Sequence, residues 1–280
     1  MFDNDFTIGI IISTYNNPNY LKKTLWGYCY QTRLPNEIII ADDGSTQETA
    51  KMLEEFANKL NIKHIWHEDK GFRKTTILNK ALLASTADYL IFTDQDCVPR
   101  EDFVETHAYF AAKGRFLSGG YFKIPMEPSQ KLDRANIENR EIFDLKWLLK
   151  NGVKRNFKCT KLIRNKYWSS FMNFITPANA SWNGCNSSTW RDDLLDVCGF
   201  DQRMAYGGED RELGERLVNK GLKGKQIRYS AIAIHLDHSR PYVNQEAWDI
   251  NNAIRRETRK NHIVKTSHGI NQKEQNDTDN

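Results

Sequence analysis

The sequence predicts an α/β fold with a mainly parallel, doubly wound sheet and helices on both faces. Four short apolar runs have the composition of strands buried on both sides, and they are Thr7–Ser13, Glu37–Ala41, Ile62–His67 and Asp88–Thr93. Segments with apolar residues at helical spacing separate these runs. Strands that alternate with helices in this way form β-α-β units, whose strands pair in parallel.

Composition narrows the class of protein. The chain has 280 residues, of which 39% are hydrophobic and 27% charged, as is typical of a globular domain with a sizeable core. The net charge is only +4, and no known nucleic-acid-binding module occurs, so no nucleic-acid partner is expected. No apolar run approaches the length of a membrane span. The first residues lack a basic leader and a cleavage site, so no signal peptide is expected.

The cysteine content and the absence of several sequence motifs narrow the class of protein further. Five cysteines without a C-x-x-C pair indicate reduced thiols in a cytoplasmic protein rather than disulfides or a zinc cluster. No G-x-G-x-x-G follows the first strand and no G-x-x-x-x-G-K-[ST] occurs, which weighs against dinucleotide oxidoreductases and P-loop NTPases. The G-x-S-x-G elbow of hydrolases is also absent.

Polar residues follow three of the predicted strands, namely Ser13–Tyr15, Asp42–Asp43 and Asp94–Asp96. Parallel sheets of this kind bind ligands at the carboxyl ends of their strands. Each cluster alone is also ordinary turn chemistry, but three successive strands that end this way favour a ligand site. Here Asp43 could accept a hydrogen bond from a nucleobase, and the basic loop with Arg73 and Lys74 could contact phosphate.

The D-x-D pair of Asp94 and Asp96 indicates a metal site. Hard oxygen ligands suit Mg²⁺ or Mn²⁺ bridging a diphosphate, where the ion would neutralise charge on a departing nucleoside diphosphate. His235, at the end of a late predicted strand (Gln226–His235), could complete the coordination sphere and would shift the preference towards Mn²⁺. A histidine before a loop is also a common structural residue, so both interpretations of His235 stay open.

A second candidate site lies in the stretch from Asn183 to Leu213. Gly207 and Gly208 let the backbone pass close to a ligand. Glu209 and Asp210 follow at a predicted helix start, where a carboxylate is favoured in its ionised form. Asp210 would then deprotonate an acceptor hydroxyl, although helix capping alone would also explain the acidic pair. A single base opposite the leaving group implies direct displacement with inversion.

The segment 145–168 has a different character from the rest of the chain. It contains eight Lys or Arg and no Asp or Glu, interleaved with aromatic residues. Leu145, Leu148 and Leu149 alternate with lysines as in an amphipathic helix. Such a segment suits an anionic membrane surface or an anionic acceptor. A solvated helical insertion is the alternative.

Taken in order, these clusters resemble the family-2 inverting glycosyltransferases of the GT-A fold. The resemblance is carried by Ile10–Leu25 (IIISTYNNPNYLKKTL), Ile38–Thr49 (IIIADDGSTQET), Thr93–Cys97 (TDQDC) and Tyr206–Leu213 (YGGEDREL). It implies that Ser13 and Asp43 contact the nucleotide, that Asp94 and Asp96 form the metal and diphosphate motif, and that Asp210 is the catalytic base.

The second half resembles β-1,4-galactosyltransferases, which carry a W-G-G-E-D-D signature, and bacterial chondroitin-type polymerases, which share a G-F-R loop like Gly71–Arg73. This resemblance places Glu209 among the sugar and acceptor contacts. It implies that His235 is a metal ligand, with His238 as the fallback. Tyr206 replaces the signature Trp and Arg211 replaces its second Asp, which leaves the donor sugar and acceptor open.

The candidate site residues fall into four groups. The catalytic residues are Asp210 and Glu209, and the metal ligands are Asp96, Asp94 and His235. The nucleotide-sugar contacts are Ser13, Tyr15, Asp43, Arg73, Lys74, Asn79, Asp94 and Gln95. The donor-sugar or acceptor contacts are Gly184, Asn186, Tyr206, Gly207 and Gly208.

We expect a nucleotide-sugar-binding half (residues 1–120), a basic and aromatic insertion (121–182), a catalytic and acceptor half (183–264) and a flexible tail (265–280). The predicted activity is Mn²⁺- or Mg²⁺-dependent, inverting transfer of a hexose or N-acetylhexosamine. The donor would be a UDP-sugar and the acceptor a glycan or lipid-linked oligosaccharide, in bacterial surface polysaccharide synthesis. The expected location is cytoplasmic, with the insertion facing the acceptor or the inner membrane surface. The alternatives are a non-catalytic glycan- or nucleotide-binding module and a sugar-phosphate nucleotidyltransferase.

Overall fold

A computed structural model describes residues 6–239 and 245–271, and it confirms the α/β fold. The strands are β1 (Ile8–Thr14), β2 (Glu37–Asp42), β3 (Ile62–Trp66), β4 (Tyr89–Asp94), β5 (Cys97–Pro99), β6 (Arg115–Ser118), β7 (Gly120–Lys123), β8 (Ser187–Trp190), β9 (Lys223–Gln226) and β10 (Ile232–His235). The helices of the first half are α1 (Pro18–Cys29), α2 (Gln47–Leu53), α3 (Lys74–Ala84) and α4 (Phe103–Phe110). Those that follow are α5 (Met126–Lys131), α6 (Arg134–Glu138), α7 (Leu145–Lys150), α8 (Lys166–Ile175), α9 (Arg191–Asp196), α10 (Glu209–Asn219) and α11 (Gln245–Lys260).

The main sheet has seven strands in the order β3-β2-β1-β4-β8-β6-β9. The four strands predicted from apolar runs pair in parallel, with β1 between β2 and β4. β8 joins antiparallel to both β4 and β6, and β9 pairs in parallel with β6. The sheet is therefore mainly parallel, and its switch of direction falls beside β4, which ends at the D-x-D pair.

The core lies on both faces of this sheet because successive residues of a strand point to opposite sides. Ile10 and Ile12 of β1 pack with α1 residues such as Leu25 on one face. Ile11 packs on the other face with residues of α3 and α10. All seven β1 residues are buried, and each fully buried Ile contributes roughly 1.5–3 kcal/mol. β1 is thereby held in the middle of the domain. Its carboxyl end lies on the same side of the sheet as the carboxyl ends of β2 and β4.

A smaller sheet, in the order β5-β10-β7, stands beside the main one. β10 pairs antiparallel with β5, and their register sets His235 opposite Cys97. Only Gln95 and Asp96 separate the end of β4 from the start of β5, so this pairing brings the D-x-D turn next to the end of β10. The predicted late strand Gln226–His235 covers the last residue of β9, a turn and the whole of β10.

The insertion 121–182 is not a separate unit. Its first residues, Tyr121–Lys123, belong to β7 and therefore to the smaller sheet. The remainder contributes Ile137, Leu148 and Leu162 to a buried cluster that also contains Ile234 of β10. The predicted amphipathic helix is α7. None of the helices in the described ranges is both long and apolar enough to cross a bilayer.

The first part of the predicted flexible tail, residues 265–271, packs against the rest of the domain. Thr266 Oγ1 donates to Asp201 Oδ2 over 2.7 Å, and Ile270 is buried in the core. The Ile270 amide also donates to the Cys198 carbonyl oxygen. These residues close over the loop that precedes α10. The rest of the predicted tail, 272–280, lies outside the described residues.

Candidate active site

The two carboxylates of the D-x-D pair lie in different environments. Asp94 contacts Ser13 and Lys74. The register of β1 and β4 sets Ser13 beside Asp94, and Ser13 Oγ donates to Asp94 Oδ1 over 2.6 Å. Lys74 Nζ, from the first residue of α3, lies 2.8 Å from the same oxygen. Burial alone would raise the pKa of Asp94, but Lys74 and the Ser13 hydroxyl hold it below its usual value.

Asp96 faces the smaller sheet and forms the candidate metal centre. Ligand atoms of Asp96, Cys97 and His235 all lie within 4.8 Å of one another. Nε2 of His238 lies 2.9 Å from Asp96 Oδ2, and the His235 and His238 rings stack 6.2 Å apart. This carboxylate and imidazole set fits a divalent ion. The structure brings Asp96 and His235 together, with the Cys97 thiol beside them, and the assignment of Asp94, Asp96 and His235 as metal ligands stays a prediction.

Asp43 lies at the end of the site nearest β2, in a polar network that the sequence did not reveal in full. His67 Nε2 lies 2.7 Å from Asp43 Oδ1, and the Arg73 amide donates to Asp43 Oδ2 over 2.9 Å. Burial raises the pKa of Asp43, against the lowering effect of His67 and the Arg73 amide. The only sequence signal for His67 was its place at the end of the third apolar run.

The loop after β1 lies on the other side of the Asp43 end of the site. Gln95 Oε1 accepts hydrogen bonds from Thr14 Oγ1 and from the Tyr15 amide. The Tyr15 hydroxyl donates to Asp69 Oδ2 over 2.8 Å, and the Tyr15 ring is half-exposed. Gln95 therefore ties the loop after β1 to the loop after β4 and leaves the Tyr15 ring open to a ligand.

The Gly-Gly turn before α10 is shaped by its backbone and by α11. Gly207 and Gly208 have φ angles of +111° and +91°, a left-handed conformation that favours glycine. A Cβ atom on Gly207 would lie 2.8 Å from the Trp248 ring. Asn251 Nδ2 donates to the carbonyl oxygens of Ala205 and Gly207. Helix α11 thus fixes the turn that starts α10.

The two acids after this turn point different ways. Glu209 Oε2 accepts from the Gly207 amide over 3.0 Å, so its side chain folds back on the turn. Asp210 Oδ2 accepts from the Gly184 amide over 3.0 Å, across the gap between α10 and the loop before β8. A Cβ atom on Gly184 would lie 3.8 Å from Asp210 Cβ and 3.7 Å from Lys74 Nζ, so Gly184 separates these two charges.

Lys74 is the shared counter-charge of this cluster. Burial would lower the pKa of Lys74, but Asp94, Glu209 and Asp210 raise it instead. Burial and the Asp210 charge raise the pKa of Glu209, and Lys74 opposes them. One ammonium therefore balances three carboxylates that belong to β4 and to the start of α10.

An open cavity of about 930 Å³ lies between the end of β4, the Gly-Gly turn and the insertion. Its walls carry Asp94, Asp210 and His235, and the insertion supplies a further wall. Tyr206 also lines it, and its ring meets Phe72 of the G-F-R loop with a centroid distance of 5.9 Å. The predicted metal end, the predicted base and the Gly-Gly turn thus share one cavity.

Two predicted contact residues lie behind the cavity walls. Asn79 is buried and exchanges two hydrogen bonds with the Phe200 backbone, at 2.9 and 2.7 Å. Asn186 is fully buried, with its amide group donating to the carbonyl oxygens of Gly120 and Ala231. His107 Nε2 lies 2.9 Å from Asn186 Oδ1. These bonds use both ends of each amide, so both side chains have packing partners within the protein, and their contact with a ligand stays a prediction.

Known proteins are similar to this chain in sequence. The family model of Glycosyl transferase family 2 matches residues 9–178, and that of the N-terminal domain of galactosyltransferase matches residues 171–239. The validoxylamine A glucosyltransferase of Streptomyces hygroscopicus subsp. limoneus is 27% identical over 77% of this chain and 48% of its own length. The chondroitin synthase of Escherichia coli is 26% identical over 81% of this chain and 34% of its own. The chain thus spans half or less of these relatives.

Comparison with solved structures identifies the fold class of this chain. Staphylococcus aureus TarS 1–349 in complex with UDP-GlcNAc superposes with a TM-score of 0.61 at 16% identity, over 89% of this chain and 65% of that one. The mannosyltransferase PcManGT of Pyrobaculum calidifontis, in complex with GDP-Man and Mn²⁺, gives 0.57 at 18% identity, over 89% and 61%. The fold is that of the GT-A glycosyltransferases. Within that class, the chain belongs to glycosyl transferase family 2.

Proposed function

We propose that this chain is a metal-dependent, inverting glycosyltransferase that moves a hexose or N-acetylhexosamine from a UDP-sugar to a hydroxyl group of a glycan or lipid-linked acceptor. The observation that carries the proposal is the shared cavity. A carboxylate suited to be a base, Asp210, lines the same cavity as Asp94 and His235, and Asp96 lies behind His235 in the candidate metal cluster. A sugar held between them would meet its acceptor on the side opposite the leaving diphosphate.

Asp210 is the proposed general base. Its Oδ2 is oriented by the Gly184 amide, and it sits in the first turn of α10, at the positive end of the helix dipole. The acceptor hydroxyl would give its proton to this carboxylate as the oxygen attacks the anomeric carbon. Glu209 is fixed by the Gly207 amide and would orient donor or acceptor hydroxyls beside that carbon.

The proposed metal ligands are Asp96 and His235, with Cys97 and His238 within reach. In this site a bound Mn²⁺ or Mg²⁺ would neutralise the negative charge of the departing diphosphate. The imidazole ligand favours Mn²⁺ of these two. Lys74, the one ammonium among three carboxylates, would hold Asp94 ionised and in place beside the diphosphate.

The donor's nucleobase would lie at the Asp43 end. Asp43 Oδ1 and the buried His67 form a fixed polar pair that can accept a hydrogen bond from a base N–H. The half-exposed Tyr15 ring is placed to cover the base. A uridine donor is supported by the TarS complex with UDP-GlcNAc, whereas PcManGT holds GDP-Man.

The proposed location is cytoplasmic, on the inner membrane surface, and α8 would provide the contact. Tyr167, Phe171, Phe174 and Ile175 recur at helical spacing on one face of α8, and Phe174 is 88% exposed. No acid occurs between residues 145 and 191, and eight Lys or Arg precede or open α8. Exposed aromatic side chains beside cationic ones suit an anionic bilayer surface.

Vesicle binding tests the proposed location. Phe171→Ser with Phe174→Ser should reduce cosedimentation with phosphatidylglycerol vesicles at least tenfold, since each Phe loses roughly 1.5–3 kcal/mol of burial. Leu34→Ser is a matched control, because Leu34 is an exposed apolar residue far along the chain from α8. Equal binding by both variants would exclude α8 as the membrane contact.

A donor panel tests the catalytic proposal. Purified protein is incubated with a series of UDP-sugars, with and without Mn²⁺, and UDP release by slow hydrolysis is measured. Metal-dependent release from one donor is expected. Release from none, with no UDP binding by calorimetry, would favour the binding module. Formation of pyrophosphate from UTP and a sugar phosphate would instead identify a nucleotidyltransferase.

A further inference from the structure

The insertion presents a cationic wall to the active-site cavity, formed by Lys154, Lys158, Lys161 and Arg228. All four residues line the cavity that contains Asp210. Three of them come from one acid-free segment, and Arg228 comes from the turn between β9 and β10. This wall is distinct from the outer face of α8, so the insertion has two chemically different surfaces.

The charge of this wall is not balanced by the protein. Seven Lys or Arg and four Asp or Glu line the cavity. Three of those acids surround Lys74, and Asp237 pairs with Lys123 at 2.8 Å. Within residues 6–239 and 245–271, no carboxylate forms an ion pair with the four cations of the wall. All the acids of the cavity are therefore already taken by other cations.

Lys161 lies in the middle of this wall. Its Nζ donates to the Tyr121 carbonyl oxygen over 3.3 Å and lies 5.8 Å from the Tyr121 ring. Burial, followed by repulsion from Arg228 and Lys158, lowers the pKa of Lys161. Positive groups held together and partly out of water gain free energy when an anion enters between them.

The position of the wall points to the acceptor rather than to the donor nucleotide. The Asp43 end lies at β2, on the N-terminal half of the sheet, and the D-x-D turn lies between it and the wall. Arg228 Nη2 donates to the Asn179 carbonyl oxygen, close in sequence to the loop with Asn183 and Gly184. Gly184 in turn holds Asp210. The cationic wall is therefore continuous with the part of the cavity that contains Asp210, where an acceptor would lie.

We infer that the acceptor is anionic near the hydroxyl that is glycosylated, and that Lys154, Lys158, Lys161 and Arg228 bind this negative group. A carboxylate of a uronosyl residue and a phosphodiester of a glycan backbone have the same charge chemistry here. This inference rests on the proposed function, because it names the substrate class of the same site.

A matched acceptor set tests the inference. The acceptors are a neutral oligosaccharide, its uronic-acid counterpart and its phosphodiester counterpart, each assayed with the donor found by UDP release. The wild type should show at least a tenfold lower KM for one anionic acceptor than for the neutral one. That KM should rise with KCl, because salt screens charge pairs that are partly exposed. The anionic acceptor that gains identifies the source of the negative group.

Two variants locate the effect. Lys158→Gln and Arg228→Gln should each raise the KM for the anionic acceptor roughly tenfold, the size of a lost charge-assisted contact, and leave the neutral acceptor unchanged. Lys146→Gln, an exposed lysine of the same insertion outside the cavity lining, is the control and should change neither. Circular dichroism confirms that each variant is folded.

Three outcomes would overturn the inference. Equal KM values for neutral and anionic acceptors would remove the anionic subsite. Equal effects of the variants on both acceptors would give the wall a structural role. A rise in the donor KM alone would assign the wall to the diphosphate. In all three cases metal-dependent UDP release would persist, so the inference can fail while the proposed function stands.

Discussion

Replacement of Lys74 is the most informative perturbation of the site. In Lys74→Gln, Asp94 loses an ammonium at 2.8 Å, and Glu209 and Asp210 lose the charge that balances them. The Lys74 and Asp94 side chains are 22% and 26% exposed. The pair thus lies between an exposed ion pair, worth at most about 1 kcal/mol, and a buried one, whose loss costs about 3–5 kcal/mol. We expect unfolding to become easier by about 2 kcal/mol at pH 7.

The pKa shifts of Lys74 and Asp94 determine how this loss of stability varies with pH. The raised pKa of Lys74 means that its contribution is complete below the usual lysine pKa of about 10.4 and is lost as the pH rises through the folded value. The lowered pKa of Asp94 means that its contribution is complete above about 3.9 and is lost as the pH falls through the folded value. The pair therefore stabilises the fold between about pH 4 and pH 10.

Urea unfolding of the wild type, Lys74→Gln and Lys74→Arg at pH 7 and pH 3 measures this effect. The deficit of Lys74→Gln should be smaller at pH 3 than at pH 7, because the stabilisation by the pair is lost as the pH falls through the lowered pKa of Asp94. Lys74→Arg keeps the charge and should lose less at pH 7. An equal deficit of Lys74→Gln at both pH values would refute the electrostatic account and leave only packing.

Three further predictions concern other parts of the site. Asp96→Ala should abolish the Mn²⁺ dependence of UDP binding in calorimetry, and an unchanged dependence would remove Asp96 from the metal ligands. Gly207→Ala, which combines a φ of +111° with a contact to Trp248, should lower kcat at least tenfold while the protein stays folded; unchanged turnover would show that the turn relaxes. His107 is fully buried with a pKa lowered by burial to about 4, below the usual 6.5. Because the unfolded chain then binds the extra proton, stability should fall by about 3 kcal/mol from pH 6.5 to pH 4, and His107→Gln should flatten that slope in urea titrations.

The parallel half of the fold was predictable from sequence because its strands are buried on both faces. A strand such as β1 has no polar face, so the apolar run is continuous and its end is marked by polar residues. β8 was not predictable in this way. Its Ser188 and Thr189 are fully buried, but their hydroxyl groups are satisfied by tertiary partners such as Tyr89 and the Arg115 carbonyl oxygen. No local pattern reveals such partners.

The candidate site was predictable where it depends on one strand end or one turn. Asp96, His235 and Asp210 each follow a local signal. The structure places His235 and Asp210 on one cavity and Asp96 beside His235. Cys97 enters the metal cluster only because β5 pairs with β10, which is a long-range event. Asn79 and Asn186 are polar residues near motifs, and only the fold shows that their amide groups are used inside the core. Charge balance in the cavity is likewise a property of the folded chain.

The most direct test of the central proposal separates binding from chemistry at Asp210. Wild type and Asp210→Asn are compared for UDP affinity in the presence of Mn²⁺ and for release of UDP from the donor found in the panel. The proposal predicts an affinity within about twofold and a release rate lower by at least about a hundredfold, the lower range of a general base's contribution. A release rate in Asp210→Asn within about threefold of the wild-type rate would show that Asp210 is not the base.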